Sequence, residues 1–315
     1  MDAHTLCLAA LTCLVACAAR SASAAGLDPK PVPRMQALPL PYDQVSFRRD
    51  GRELARYHFG PDLDRPFLYP IVGPAGRSLT RMGHPRDPES HGHHDSVWIS
   101  HHDVGGTNFW TNRQGRVRHQ RVDELVDGEH EAAIVSRNLW PSEAGQPLLA
   151  ERRRIAVRPL PEGEWLLVVD MELAAAGDED VVLGKTPFGF FAVRVAKTIG
   201  VHDGGGTIRN SEGGVNEKGV FWKRARWVDY AGLIAPDTLE GLSLFDHPSN
   251  PNHPTHFHVR DDGWMGASLT FEGPRTIAKG QALRLRYGLY VHAGVPPAEA
   301  IEKRWRQFAE LPLAE

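Results

Sequence analysis

The sequence predicts an all-β protein, a large β-sandwich closed by one C-terminal helix. Short β-compatible runs separated by Gly, Pro and Asp-Gly turns recur along the chain. Helical periodicity is nearly absent until the C-terminal end, and no fixed-period repeat suggests a propeller. In chain order, "VSFRRDGRELARYHF" sets Asp50-Gly51 between two such runs, a strong short-range hairpin signal. "RPFLYPIVGPAGRSLTRM" reads as two strands around a Gly/Pro turn. "RRRIAVRPLPEGEWLLVVDMEL" continues the pattern, with Ile155 and Val157 alternating before its turn. "GFFAVRVA", "GVFWKRARWVDYAG", "GLSLFD", "GASLTF" and "LRLRYGLYVHAG" bring the total to roughly fifteen or more strands. Finally, "PPAEAIEKRWRQFAE" has Pro at or near its first helical position and puts Ile301, Trp305 and Phe308 on one face.

The N-terminal stretch does not belong to this fold. "LCLAALTCLVACAA" is a short apolar run followed by small residues and an A-x-A site at Ala22–Ala24. That predicts a signal peptide over residues 1–24 and a secreted or periplasmic protein. "LVAC" also matches a lipobox, which would place a lipid on Cys17. "LDPKPVPRMQALPLP" makes residues 25–41 a Pro-rich linker and leaves 42–315 as a single β-sandwich domain. All three cysteines, Cys7, Cys13 and Cys17, fall in the leader. Cysteine nucleophiles, thiolate metal sites and disulfides are therefore excluded from the remainder. A net charge of −3 without a basic block argues against nucleic acid as a partner. No segment after the leader is long and apolar enough to span a membrane.

Histidine is the informative residue. "SHGHHDSVWISHHDVGGTNFW" contains His91, His93, His94, His101 and His102, and "FDHPSNPNHPTHFHVRDDGW" contains His247, His253, His256 and His258. If the first stretch is a strand, Val97, Ile99 and His101 point one way and Ser96, Trp98 and His102 the other. His91 with His93, and His256 with His258, form H-x-H pairs expected to share a face. Such pairs can aim two nitrogens at a metal, or donate and accept hydrogen bonds with a sugar or acid.

Three readings follow. The histidines can simply satisfy loop backbone groups. They can hold a divalent metal cofactor, since His101-x-Asp103 has two-His-one-carboxylate spacing and His258 could be a distant third ligand. They can line a carbohydrate site together with Trp98, Trp110, Trp222, Trp227, Tyr230 and Trp264, whose faces pack on sugar C–H groups. In that case Glu212, in "GGTIRNSEGG", is the carboxylate partner for acid–base chemistry.

The motifs "HGHHDSVWISHHDVGGTNFW", "RNSEGG", "ARWVDYAG" and "FDHPSNPNHPTHFHVR" together resemble the bacterial family labelled "methane oxygenase PmoA-like". His91, His93, His94, Trp98, His101, Asp103, Phe109 and Trp110 fall on its first motif. Asn210, Ser211 and Glu212 match its N-S-E turn, Trp227 and Asp229 its W-x-D, and Asp246–Asn250 its D-H-P-S-N. Gly92, Asp95, His102 and Gly105 depart from the usual residues, and Asp95 turns a commonly basic position acidic. The resemblance implies a galactose-mutarotase-like supersandwich whose members process sugars. The expected protein is thus an exported carbohydrate-active or carbohydrate-binding one, acting as an epimerase, lyase or hydrolase on a small-molecule or glycan ligand. Its catalytic residues would be His93, His101, Glu212 and His258. Ligand would be held by His91, His94, Trp98, Asp103, Trp110, Lys185, Arg194, Trp222, Asp229, His247, Asn250 and His253. A metal-dependent oxygenase or hydrolase and a non-catalytic glycan-binding module are the alternatives. The two histidine clusters should meet in one cleft with Glu212 at its rim.

Overall fold

The computed structural model describes residues 30–84 and 86–313, the side chains of 88–90 apart. The leader over 1–24, Cys17 and the connector up to residue 29 lie outside the described residues. Among the described residues nineteen strands follow in order. They begin with β1 (Met35–Leu40), β2 (Gln44–Arg49), β3 (Arg52–His58), β4 (Phe67–Ile71) and β5 (Val97–His101). Next are β6 (Arg118–Val126), β7 (Ala132–Pro141), β8 (Pro147–Pro159), β9 (Trp165–Ala175) and β10 (Val181–Leu183). After β11 (Gly189–Arg194) come a helical turn α1 (Val201–Gly204), β12 (Thr207–Asn210), α2 (Asn216–Val220) and β13 (Lys223–Arg224). The chain continues through β14 (Trp227–Ala235), β15 (Thr238–Asp246), β16 (His256–Arg260) and β17 (Trp264–Ser268). It ends with β18 (Arg275–Ile277), β19 (Ala282–Ala293) and the helix α3 (Ala298–Ala309).

Two antiparallel sheets make the sandwich. One has nine strands in the order β1-β2-β3-β4-β5-β11-β17-β16-β13, the other eight in the order β12-β14-β15-β19-β9-β8-β7-β6. The expected hairpin is β2–β3, turning at Asp50 (φ 51°) and Gly51 (φ 78°); two positive φ angles are what a tight two-residue connection requires. Met35–Leu40, assigned to the connector from sequence, instead pairs with β2 as an edge strand. Part of "GVFWKRARWVDYAG" also departs from the strand reading. Its first residues finish α2, and Trp222 at φ 56° breaks the extended chain before β14 begins at Trp227.

Alternation builds the core. Val97, Ile99, Phe191, Val193, Val259 and Met265 of the nine-stranded sheet meet Ile155, Val157, Leu167, Leu244 and Leu289 of the other sheet. The outer face of the eight-stranded sheet is covered by α3, where Ile301 and Phe308 bury against Leu166, Val168, Trp227, Phe245 and Tyr290. Gly288 leaves room for the Phe308 ring, which a Cβ there would meet at 3.0 Å. Phe308→Ala should therefore cost about 3–5 kcal/mol by cavity formation. Urea unfolding measures this, and a change below about 1 kcal/mol would mean that α3 does not dock through that ring.

Candidate functional site

The outer face of the nine-stranded sheet carries a second layer. β5, β11, β17 and β16 lie side by side, and their register places Trp98, Ala192, Gly266 and His258 in one row across four strands. The same alternation that sends Val97, Val193, Met265 and Val259 inward sends these outward. Two small residues in the middle of the row make a trough. The indole of Trp264 lies over it, with its ring 3.4 Å from where a Cβ on Gly266 would stand. Arg194 is paired with Trp264 in the next row.

Loops close over the trough. Residues 88–93 form a 3₁₀ turn. In such a turn residues three apart eclipse, and His91 and His94 stack at 4.5 Å. The sequence expectation that His91 and His93 share a face as an extended H-x-H pair is thereby corrected. His94 also stacks on Trp98 at 4.8 Å and packs against Trp264 at 4.9 Å. Trp110 joins Trp98 at 5.3 Å and Phe188 at 5.6 Å. His258 packs on Trp264 at 4.3 Å and on Phe188 at 5.2 Å. Of the two clusters, His91, His93 and His94 of the first lie on the same aromatic patch as His258 of the second, whereas His101, Asp103, His247, His253 and Glu212 do not join it.

This patch holds many polar atoms that have no hydrogen-bond partner among the described residues. They include His94 Nδ1, Trp98 Nε1, Ser100 Oγ, Trp264 Nε1 and both ring nitrogens of His258. The Nε of Arg194 is another. Arg194 is buried and reaches Asp262 at 3.4 Å, and Asp262 is also 3.3 Å from Nδ1 of His91. Burial, with Arg260 and His91 nearby, pushes the His258 pKa down to about 3. Burial beside His93 and His91 holds His94 well below its ordinary value. Both imidazoles are therefore neutral at physiological pH, each able to donate and accept.

Arg65 holds the loops in place, and the sequence reading did not single it out. It is fully buried and its five N–H groups are all used. They reach the carbonyls of His93 (3.1 Å), Phe109 (3.2 Å) and Trp110 (3.0 Å), Asn112 Oδ1 (2.8 Å) and Asp95 Oδ2 (2.6 Å). Burial raises the Asp95 carboxyl to about 6 in spite of Arg65. Trp264, Phe188 and Asp262 complete the patch. A lone arginine before a strand gives no sequence signal, whereas Trp264 and Asp262 sit next to the second histidine cluster.

Other expected site residues lie elsewhere. His101 points away from the patch. Its Nδ1 accepts the Asp103 N–H (3.1 Å) and its Nε2 bonds Thr270 Oγ1 (2.8 Å), so both nitrogens serve the fold, and burial lowers its pKa to about 4. Asp103 caps the Gly106 N–H and packs on Gly184. The D-H-P-S-N segment is a structural knot beneath α3. Asp246 accepts from Asn250 (2.8 Å), His253 (2.8 Å) and the Thr255 N–H (3.0 Å), and its carbonyl accepts from Trp305 (2.9 Å). His247 bonds the Ala309 carbonyl at 3.2 Å, and burial near Arg286 lowers its pKa to about 4. Asp229 is enclosed with His292 (2.8 Å), Arg209 (2.6 Å) and Ser243 (2.8 Å). Glu212 is exposed and pairs with Arg226 (3.2 Å), which in turn reaches Glu302 of α3. Lys185 is exposed, next to Thr186, whose N–H bonds the Thr270 carbonyl. Trp222 stands at the rim, 6.1 Å from His258. Among the described residues no group of three or more His, Cys, Asp or Glu is placed to hold a metal ion. The His101-x-Asp103 spacing in particular is spent on a turn.

Two outcomes follow from this arrangement. Arg65→Met leaves the buried Asp95 without its counter-charge and should cost about 3–5 kcal/mol, read as a lowered urea midpoint. Neutral buried histidines also fix the sign of acid sensitivity. Below the ordinary value of 6.5, the unfolded chain takes up protons that the fold refuses until about 4 at His101 and about 3 at His258. Stability is full above about pH 7 and falls as pH drops through that window, by about 1.4 kcal/mol per pH unit for each. Urea midpoints that stay level from about pH 7 to 4.5 would contradict this assignment.

No curated protein matches the chain. Among solved structures it is similar to the heparan sulfate lyase HepC from Pedobacter heparinus, with 8% identity over 81% of this chain and 36% of that one and a TM-score of 0.41. A heparinase III gene product matches at 13% identity over 84% and 37%, with a TM-score of 0.41. A 4-alpha-glucanotransferase from Thermococcus litoralis matches at 10% over 82% and 39%, with a TM-score of 0.33. The chain spans less than two fifths of each of these proteins. No helix among the described residues is long and apolar enough to cross a membrane. A family model covers residues 44–306, and its description is not the PmoA-like label that the motifs suggested. The chain belongs to that family, a family of unknown function (DUF6807).

Proposed function

We propose that this is an exported carbohydrate-active protein that binds a sugar at the mouth of the aromatic patch, beside the half-buried His91, His93 and Phe188. The observation that carries the reading is the interleaving of aromatic faces with unpartnered polar atoms in one patch. A sugar has both an apolar C–H face and a rim of hydroxyls, each of which donates and accepts. Phe188, half-buried, suits the face, with Trp264 and Trp110 packed behind it. His258, at the edge of the patch next to Phe188, suits the rim.

Two imidazoles divide the chemistry. His258, with a pKa of about 3, remains neutral and orients hydroxyls rather than storing a proton. His91 Nδ1 lies 3.3 Å from Asp262, whose carboxylate fixes the way the ring faces. His91 is therefore the acid–base group for proton transfer at a sugar carbon or oxygen, with Asp262 fixing its orientation and Arg194 fixing Asp262. His101 and Glu212 take no part in this scheme, because their side chains are engaged elsewhere.

A panel of neutral, amino and acidic monosaccharides, followed by tryptophan fluorescence and by turnover, tests the reading. His258→Ala should weaken binding about tenfold or more, as expected for a lost hydrogen-bond pair in a buried site. His91→Ala should lower turnover about a hundredfold or more with little change in binding, and a chelator should change neither. If His258→Ala binds every sugar as the wild type does, the assignment of this patch fails.

A further inference from the structure

We infer that the patch continues outward into a second ring-sized subsite, so that the ligand is an oligosaccharide chain rather than a free monosaccharide; this rests on the sugar reading above. Trp222 is 45% exposed, the only tryptophan among the exposed large apolar residues described. Its φ of 56° is a conformation that a bulky side chain adopts only under strain, and such strain persists where the surroundings fix it. Here the Trp222 N–H is tied to the Phe257 carbonyl at 2.8 Å. Its indole stacks on Phe221 at 4.4 Å with an interplanar angle of 21°. An indole made rigid, backed by a second ring and left open to solvent is ready to receive a flat apolar face.

The position of this platform is not arbitrary. On one side Trp222 presents itself edge-on to His258, 6.1 Å away, which joins it to the first subsite. On the other it meets Phe271 at 5.6 Å, and Phe271 stacks on His256 at 4.3 Å. His256 and His258 are two residues apart on β16 and share a face, so they lie about 6.6 Å apart along the strand, close to the length of one sugar ring. Polar groups flank the outer end. Glu272 pairs with Arg224 at 2.7 Å and lies 3.9 Å from His256, and both members of the Arg224 pair are exposed enough to exchange that contact for sugar hydroxyls. The track therefore repeats the chemistry of the first subsite, an aromatic face beside groups that bind hydroxyls, one ring further out.

The test titrates wild type, Trp222→Ala, Trp222→Phe and Trp264→Ala with cello-oligosaccharides, chito-oligosaccharides and oligogalacturonides, each from the monosaccharide to the tetrasaccharide. Wild type should gain about tenfold in affinity for at least one series on going from the monosaccharide to longer chains. Trp222→Ala should lose that gain while binding the monosaccharide within about twofold of wild type, and Trp222→Phe should recover most of it. The inference is overturned if Trp222→Ala weakens every length equally or weakens none, while Trp264→Ala weakens them all; the first subsite would then stand alone. If no series binds wild type, or Trp264→Ala binds like wild type, the sugar reading itself fails and takes this inference with it.

Discussion

Everything at the candidate site depends on one buried guanidinium. Of the side chains that cover the nine-stranded sheet, His91, His93, His94 and Trp110 come from two loops, around residues 91–95 and 109–112. Loops laid over a sheet carry backbone carbonyls into a dry environment, and each must find a donor. Arg65 supplies them in a fixed planar fork, joining the carbonyls of His93, Phe109 and Trp110 to the side chains of Asp95 and Asn112. Lysine could not do this, having three donors on a flexible stem. The charge of Arg65 is answered by Asp95, the residue that departs from the commonly basic position of the motif.

The second constraint is space. A central strand of a sandwich is normally buried on one face and wet on the other, but β5, β11 and β17 are buried on both. The outer layer fits because Ala192 and Gly266 stand where larger residues would fill the trough, leaving room for Trp264. The site is consequently built on rigid strands, with its rim set by loops, and the polar atoms are held there by packing rather than by hydrogen bonds.

The histidines divide into two jobs that their spacing does not distinguish. His101, His247 and His253 bond to backbone or to carboxylates and stabilise turns and the docking of α3. His94 and His258 are packed among indoles, with Nδ1 of His94 and both ring nitrogens of His258 lacking partners among the described residues. The difference lies in what surrounds each ring. Around His101, His247 and His253 groups of the fold take up ring nitrogens, whereas around His94 and His258 aromatic neighbours pack the ring.

Much of the fold was determined by the sequence alone. The Asp50-Gly51 turn, the alternation in Val97–His101 and His256–Arg260, and the apolar face of the terminal helix are local patterns, and local patterns fix which side chains share a face. The histidine stretches likewise mark the patch, since His91, His93, His94 and His258 all lie there. Alternation could not tell which face would be left to a ligand, because that depends on the strand order β5-β11-β17-β16 and on what the loops bring over it. Nor could spacing show that D-H-P-S-N would tie down α3, that Glu212 would pair with Arg226, or that an arginine between β3 and β4 would hold the site together. These are contacts between residues far apart in the chain, and only the folded sheet sets their distances.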